Sequence, residues 1–300
     1  MKRVVSVAVA VLGLLAVVSA ALVGSGTAGA ANTPAIEIHK VDTGTFSPRP
    51  GAPVFMLALG LDGGRPGIDG DRSDAIHLIG INPATGTGTM LNIPRDTYVA
   101  IPGHGQSKIN DAYAFGGPGL ASETVERLTG VKISFVLATR FGPFQDMVDG
   151  AGGVDVDVPM AMKDRFSGAD FPQGRVHMDG GQALAFSRDR HLDGGDFRRS
   201  EHQGLLILSA LTKLRAENPG ATGAARYLAI LGRYVGITGV TPLELYRLGR
   251  FALTIDPAGV RSVVMPGGIG RAGSQSIVLV AAGAPSLFAD MRDDAILQSH

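Results

Sequence analysis

Behind Lys2 and Arg3, every position from Val4 to Val23 is apolar or small. Roughly 20 such residues can cross a bilayer core as a helix. The run is followed by Ala28-Gly29-Ala30 before Ala31, the small-residue pattern of a signal-peptidase site. Residues 1–31 therefore read as a signal peptide or a membrane anchor, with the basic end cytoplasmic and everything after residue 31 exported. Asn32, Pro34, Ser47-Pro48 and Pro50-Gly51 mark residues 32–52 as an extended linker.

Beyond it the apolar runs shorten and alternate with turn signals. Pro53 to Leu61 reads as a buried strand ending at Asp62, and the Gly- and Asp-rich stretch to Ser73 as a loop. Asp74 to Ile81 is a second strand, Asn82 to Gly86 a turn and Thr87 to Ile93 a third strand. Helical patterns cover Ile109 to Phe115 and Gly119 to Leu128, broken by Gly116-Gly117-Pro118. A strand over Val131 to Ala138 and a short helix over Arg140 to Val148 follow. Val154 to Val158 alternates valine with Asp155 and Asp157, a strand with one wet face. Met160 to Met178 has weak periodicity and reads as a long mobile loop. Helices are expected at Asp179 to Ser187, Phe197 to Glu217, Ala224 to Tyr234, Pro242 to Thr254 and Ala284 to Met291, with strands at Val260 to Met265 and Ile277 to Val280. Strands and helices alternate without a break in composition, which predicts one α/β domain over residues 53–300.

Composition narrows the function more than the fold. The 27 basic and 27 acidic residues balance, and no block of like charges exists, so a nucleic-acid footprint is absent. Cysteine is absent too, which excludes disulfides, thiolate metal sites and thiol nucleophiles. No H-E-x-x-H or G-x-S-x-G occurs, and Gly116-Gly117-Pro118-Gly119 follows a helix and contains proline, unlike a dinucleotide loop. His77, on a strand, reads as a packed core histidine.

What remains is arginine and aspartate at element ends. With the first two strands antiparallel, Asp62 ends one and Asp74 begins the next; directly opposite positions would bring their Cβ atoms about 4.5–5.5 Å apart. Two carboxylates plus phosphate oxygens are the usual way Mg²⁺ is held. The plainer alternative is a pair of solvated strand-end aspartates, one paired with Arg72. Arg95 leaves the third strand behind Pro94, and Asp96 can orient it. Arg188 and Arg190 are two apart and on extended chain share a face. Asp196 suits an N-cap of the long helix, while Arg199 and Gln203, four apart, share a face of its first turns. Guanidinium groups beside a helix N-terminus suit a bidentate, dianionic ligand such as phosphate or diphosphate.

Several of these phrases stand in register with one family. Gly60-Leu61-Asp62, Arg72-Ser73-Asp74, Asn92-Ile93-Pro94-Arg95-Asp96-Thr97, Lys108-Ile109-Asn110-Asp111-Ala112-Tyr113, Gly152-Gly153-Val154, Leu184 to Arg190 and Asp196 to Gln203 resemble the LytR-CpsA-Psr cell-wall glycopolymer ligases. The resemblance covers about residues 53–215. It implies an α/β/α layered sandwich with a central mixed sheet and a hydrophobic lipid-binding cleft. It implies a phosphotransferase that moves a glycan phosphate from a polyprenyl-diphosphate carrier to peptidoglycan, with Mg²⁺ (or Mn²⁺), outside the cytoplasm. By position, Asp62 and Asp74 would bind the metal, and Arg95, Lys108, Arg188, Arg190, Asp196, Arg199 and Gln203 would serve the diphosphate. Arg95, Asp74 and Asp96 would be catalytic, the base being Asp74, Asp96 or a metal-bound water. A non-catalytic polyprenyl-phosphate binding protein and a diphosphate hydrolase are the competing readings. Two departures stand out: His202 replaces the arginine common before the Gln, and Gly63-Gly64 displaces Arg65 from its usual place. A neutral His202 would weaken the positive field, and would restore it below about pH 6.5.

Overall fold

Alternating apolar positions build a seven-stranded sheet, and helices cover both of its faces. The structure, a computed structural model, describes residues 34, 36–63, 71–189, 193–216, 235–252 and 254–298. The N-terminal apolar run, Arg65, Arg190 and the helix expected over Ala224 to Tyr234 lie outside the described residues. Among the described residues no helix is long and apolar enough to cross a membrane.

In chain order the elements are β1 (Ile36–Lys40), β2 (Val54–Leu61), β3 (Ser73–Ile81), β4 (Gly88–Asn92), β5 (Tyr98–Ile101), β6 (Gly105–Lys108) and α1 (Asp111–Thr129). Then come β7 (Ile133–Arg140), α2 (Phe141–Gly150), β8 (Val154–Val158), β9 (Met162–Asp164), β10 (Ala169–Phe171), β11 (Gly174–Met178), α3 (Gly180–Arg188) and α4 (Gly195–Ala216). The chain ends with β12 (Val235–Thr238), α5 (Pro242–Ala252), β13 (Val260–Val264), β14 (Gly267–Ala272), β15 (Gln275–Val280) and α6 (Ala284–Asp294). The main sheet runs β12-β1-β7-β2-β3-β4-β13 and is mixed. β12 with β1, β7 with β2, and β4 with β13 are parallel; the other neighbours are antiparallel.

Period-two alternation sorts the strand side chains onto two faces. Leu57, Leu59, Leu61, Ile76, Leu78 and Leu91 meet Val125 of α1 and Phe288 and Met291 of α6. Val54, Ile81, Met90, Phe135 and Val260 meet Ile207 and Leu208 of α4 and Phe251 of α5. Each such side chain contributes about 1.5–3 kcal/mol by leaving water, and the outcome is an α/β/α sandwich. The break expected in α1 is present: Gly117 takes φ +62°, open to glycine, and Pro118 follows without an N–H to continue the ladder.

Two expectations are corrected. Residues 36–40 are not linker but a strand of the sheet, paired on both sides by β12 and β7. Met160 to Met178 is not a mobile loop: β9 and β10 form a hairpin, and β11 pairs with β8. The wet face foreseen on β8 is where Asp155 pairs with Arg175 and His177, while Val156, Met178 and Phe171 join Phe186 in a core of their own. Strands of three to five residues carry too few turns of a period to read alone, and their partners lie elsewhere in the chain.

Candidate functional site

β2 and β3 end on one rim of the sheet. Asp62 closes it, its N–H donating to the Arg72 carbonyl and its Oδ1 accepting from the Arg72 N–H, both at 3.0 Å. The pairing slips here: Gly60 faces Ala75 but Leu61 faces Ser73, so Asp74 is the extra residue of a bulge. Asp62 and Asp74 are therefore not the directly opposite pair expected. The bulge turns Asp74 instead toward Arg95, whose Nη1 lies 2.5 Å from Asp74 Oδ1. Arg95 reaches this point because Pro94 starts a tight turn after β4, its carbonyl accepting from the Thr97 N–H and hydroxyl. Asp96 in the same turn lies 4.0 Å from Arg95 Nε and 2.9 Å from Lys108 Nζ, at the end of β6.

The second half of the site is the first turns of α4. Gly194 and Gly195 enter the helix at φ +100° and +51°, conformations that strain other residues. Asp196 lies inside the first turn rather than at the N-cap, and its carboxylate pairs with Arg199 Nη2. Gln203 is on the same face as Arg199 and donates from Nε2 to the Ser187 carbonyl at 3.0 Å, tying α4 to α3. Arg188 is the last residue of α3, helical rather than extended.

The halves feel one another's charge. Burial pulls Arg95 down, but Asp74 outweighs it by charge and hydrogen bond, aided by Asp96 and Asp196, and Arg95 is raised. Burial pushes Asp196 up, with Asp96 adding to it and Arg199 and Arg95 opposing. Burial lowers Arg199, against the pull of Asp196, Asp74 and Asp96 and with the push of Arg95. Arg95, Asp74, Asp96, Asp196 and Arg199 thus form one cluster, half-buried but for the buried Arg199, in which each guanidinium already holds a carboxylate. Arg95 Nε, Arg199 Nε, Asp196 Oδ2 and Gln203 Oε1 are buried without a hydrogen-bond partner among the described residues. Such groups are costly unless something polar meets them. A separate cavity of about 380 Å³ opens between the end of β1 and α1, lined by Lys40, Glu123 and Glu126 among others, and touches none of these residues.

His202 does not enter the cluster. It is fully buried with its ring stacked on Phe186, 4.9 Å between centroids, and burial lowers its pKa. Burial disfavours its charged form, which runs against the recovery of charge expected below about pH 6.5. Three features escaped sequence reasoning. Arg72 pairs with Asp111, which also accepts from Ser107; Arg140 at the end of β7 holds Glu37 and Asp71; and Asn92 bonds His77 and Ser262. Only Arg140 carried a usable signal, a charge closing an apolar strand. Among the described residues no group of three or more potential metal ligands is gathered.

The comparisons with known proteins agree with this architecture. A polyisoprenyl-teichoic acid–peptidoglycan teichoic acid transferase, TagU, of Bacillus cereus (strain AH820) is 39% identical over 185 residues, 61% of this chain and 59% of its own length. The chain spans between 52% and 64% of the length of such relatives. Among solved structures, B. subtilis TagV superposes with a TM-score of 0.68 at 24% identity, covering 83% of this chain and 100% of its own. The LytR-CPS2A-psr family protein YwtF (TagT) with bound octaprenyl pyrophosphate lipid gives 0.63 at 22%, covering 90% and 100%. The LytR_cpsA_psr family model matches residues 19–284, most of the chain, and the protein belongs to that family.

Proposed function

We propose that the protein attaches a cell-wall glycopolymer to peptidoglycan outside the cytoplasm, moving a glycan phosphate from a polyprenyl-diphosphate carrier to a wall hydroxyl. One observation carries this reading: the cluster of Arg95 and Arg199, each with a buried Nε that has no hydrogen-bond partner among the described residues, facing Asp74 and Asp196 where the rim of the sheet meets α4. Guanidinium groups in that state match the oxygens of a diphosphate. Relatives named as teichoic acid transferases, and a structural relative named with octaprenyl pyrophosphate, support the substrate class. The N-terminal apolar segment would then hold or deliver the domain at the outer face of the cell membrane.

Arg95, Arg199 and Lys108 would bind and orient the diphosphate, with Arg188 adding charge from the end of α3 and Arg190 following it in sequence. The attacking hydroxyl forms a bond to the sugar-side phosphorus as the bond to polyprenyl monophosphate breaks, and the arginines stabilise the charge spreading over the phosphoryl oxygens. Proton acceptance falls to Asp74 or Asp96, the carboxylates flanking Arg95. Asp62 and Asp74 offer the hard oxygen donors that Mg²⁺ or Mn²⁺ takes when substrate and water complete its shell. Both lie on the same rim of the sheet, Asp62 beside Arg72 and Asp74 beside Arg95, and their carboxylates are of the donor type that such an ion takes. When bound, the metal would offset the negative charge of the diphosphate.

The test uses the full chain in nanodiscs with a polyprenyl-diphosphate disaccharide, Mg²⁺ and uncrosslinked peptidoglycan strands. Acceptor-dependent release of polyprenyl monophosphate, lost by 100-fold or more (roughly) in Arg95→Ala, is expected. Lipid binding without release would leave a binding protein. Release of free glycan phosphate whatever the acceptor would make it a hydrolase.

A further inference from the structure

Three polar side chains, His77 and Asn92 buried and Ser262 half-buried, lie in a line on neighbouring strands. His77 of β3 stands opposite Asn92 of β4, and its Nδ1 donates to Asn92 Oδ1 at 2.7 Å. Asn92 Nδ2 donates in turn to Ser262 Oγ of β13 at 2.8 Å. His77 is 2% and Asn92 0% exposed. The Asn92 main chain is held too, its carbonyl accepting from the Met265 N–H at 2.9 Å. An apolar side chain at this level could pack in several rotamers. An amide with a directional partner on each side has one orientation, since rotating it would strand two buried polar groups.

α4 lies across β3, β4 and β13 and comes down on this line through Gly204. A Cβ built there would stand 2.7 Å from Asn92 Oδ1 and 2.9 Å from Ser262 Oγ, closer than side chains tolerate, and 3.0 Å from Asn92 Nδ2, so that the clamped amide or the helix would have to shift. Both halves of the site hang from this one contact. On the sheet side, Asn92 precedes Arg95 by three residues and its partner His77 follows Asp74 by three. On the helix side, Gly204 directly follows Gln203 and is five residues from Arg199, about 7.5 Å of helix rise.

We propose that Asn92 is a positioning residue for the diphosphate site. Clamped between His77 and Ser262, it sets the separation between the rim that carries Asp74 and Arg95 and the helix that carries Arg199 and Gln203. Gly204 is the residue that lets the helix close to that distance. Its consequence for catalysis rests on the phosphotransferase reading; the contact itself does not.

The test is a two-residue cycle in the full chain, read by farnesyl diphosphate affinity with Mg²⁺ and by KM for the polyprenyl-diphosphate disaccharide. Gly204→Ala forces α4 outward, and a displacement on the order of 1 Å at such a site can cost up to about 100-fold. Its Kd and KM should rise about tenfold or more. Asn92→Ser alone loosens the clamp and should weaken binding less. The double variant, in which the shorter serine receives the new Cβ, should bind better than Gly204→Ala, whatever its thermal stability. A structural role alone would make the two losses add. Wild-type affinity in Gly204→Ala, or a double variant as weak as that single one, overturns the proposal. Should Gly204→Ala fail to fold, the folded double variant must bind at least as tightly as Asn92→Ser; weaker binding overturns it. Should the unsubstituted chain bind no farnesyl diphosphate, the phosphotransferase reading falls, and crystal structures decide instead. Arg199 must then move away from Arg95 in Gly204→Ala and return in the double variant, and an unmoved Arg199 overturns the inference.

Discussion

His77 and His202 are both buried, yet only one has a hydrogen-bond partner among the described residues. His77 bonds Asn92, and burial nevertheless lowers its pKa to about 4. Because the unfolded histidine titrates near 6.5, the unfolded state binds the extra proton between pH 6.5 and 4. Stability is therefore full above pH 6.5 and falls as pH drops toward 4, by on the order of 3 kcal/mol from this residue. Urea unfolding at pH 7.5 and 5 should show about 2 kcal/mol of that loss, and His77→Gln should show a smaller one. His202 has neither ring nitrogen bonded among the described residues. Replacing it by Leu removes two unpaired polar atoms and a group that must stay neutral, so the variant should gain on the parent as pH falls from 7.5 to 5. An unchanged difference would mean that His202 titrates normally. Sequence alone placed His77 in the core correctly, because a lone histidine within an apolar strand has few other fates. It misjudged His202, since the face of a helix turned inward depends on what packs against it, here Phe186.

At the scale of elements, Glu244 shows how distant segments are joined. Its carboxylate accepts from Lys40 Nζ, the Phe46 N–H, and the N–H and hydroxyl of Thr241, binding β1 and the chain after it to the start of α5. The Lys40 hydrogen bond first, then those backbone donors, lower its pKa to about 2. A depressed carboxylate contributes stability that is present above its unfolded pKa near 4.3 and lost as pH falls toward 2. Glu244→Gln should therefore cost on the order of 2 kcal/mol at pH 7 and flatten acid unfolding between about pH 4 and 2. A parallel acid limb in parent and variant would rule this out. Long apolar strands such as β2 and β7, and the helix after the Asp179 capping box, were legible because their signals are local. β1 was missed because its neighbours, β7 and β12, are about 100 and 200 residues away in sequence. Nothing in Ile36–Lys40 announces them.

For the whole molecule, the central fact is that the cluster joins two parts of the fold and is close to neutral before any ligand arrives. Asp74, Asp96 and Asp196 face Arg95, Lys108 and Arg199. The arginines and aspartates were legible as motifs, with Asp96 foreseen beside Arg95, but not that Asp74 would hold Arg95 more closely. The pairing within the cluster follows from a β-bulge at Asp74 and from Asp196 lying inside the α4 turn, which only tertiary geometry sets. It also has a consequence for binding. A diphosphate brings negative charge into a half-buried site whose own charges nearly cancel, so a cation at Asp62 and Asp74 should strengthen its binding. Because the ligand touches both the sheet rim and α4, it should stabilise the entire domain. At a farnesyl diphosphate concentration 100 times Kd, the gain is about 2.7 kcal/mol, a rise of several degrees in Tm. The rise should shrink when EDTA replaces Mg²⁺. It should vanish in Arg199→Ala at the same ligand concentration, although that variant's own Tm will differ. A shift that survives both changes would place the diphosphate away from this cluster, and would sink the assignment of Arg199 and of the metal together.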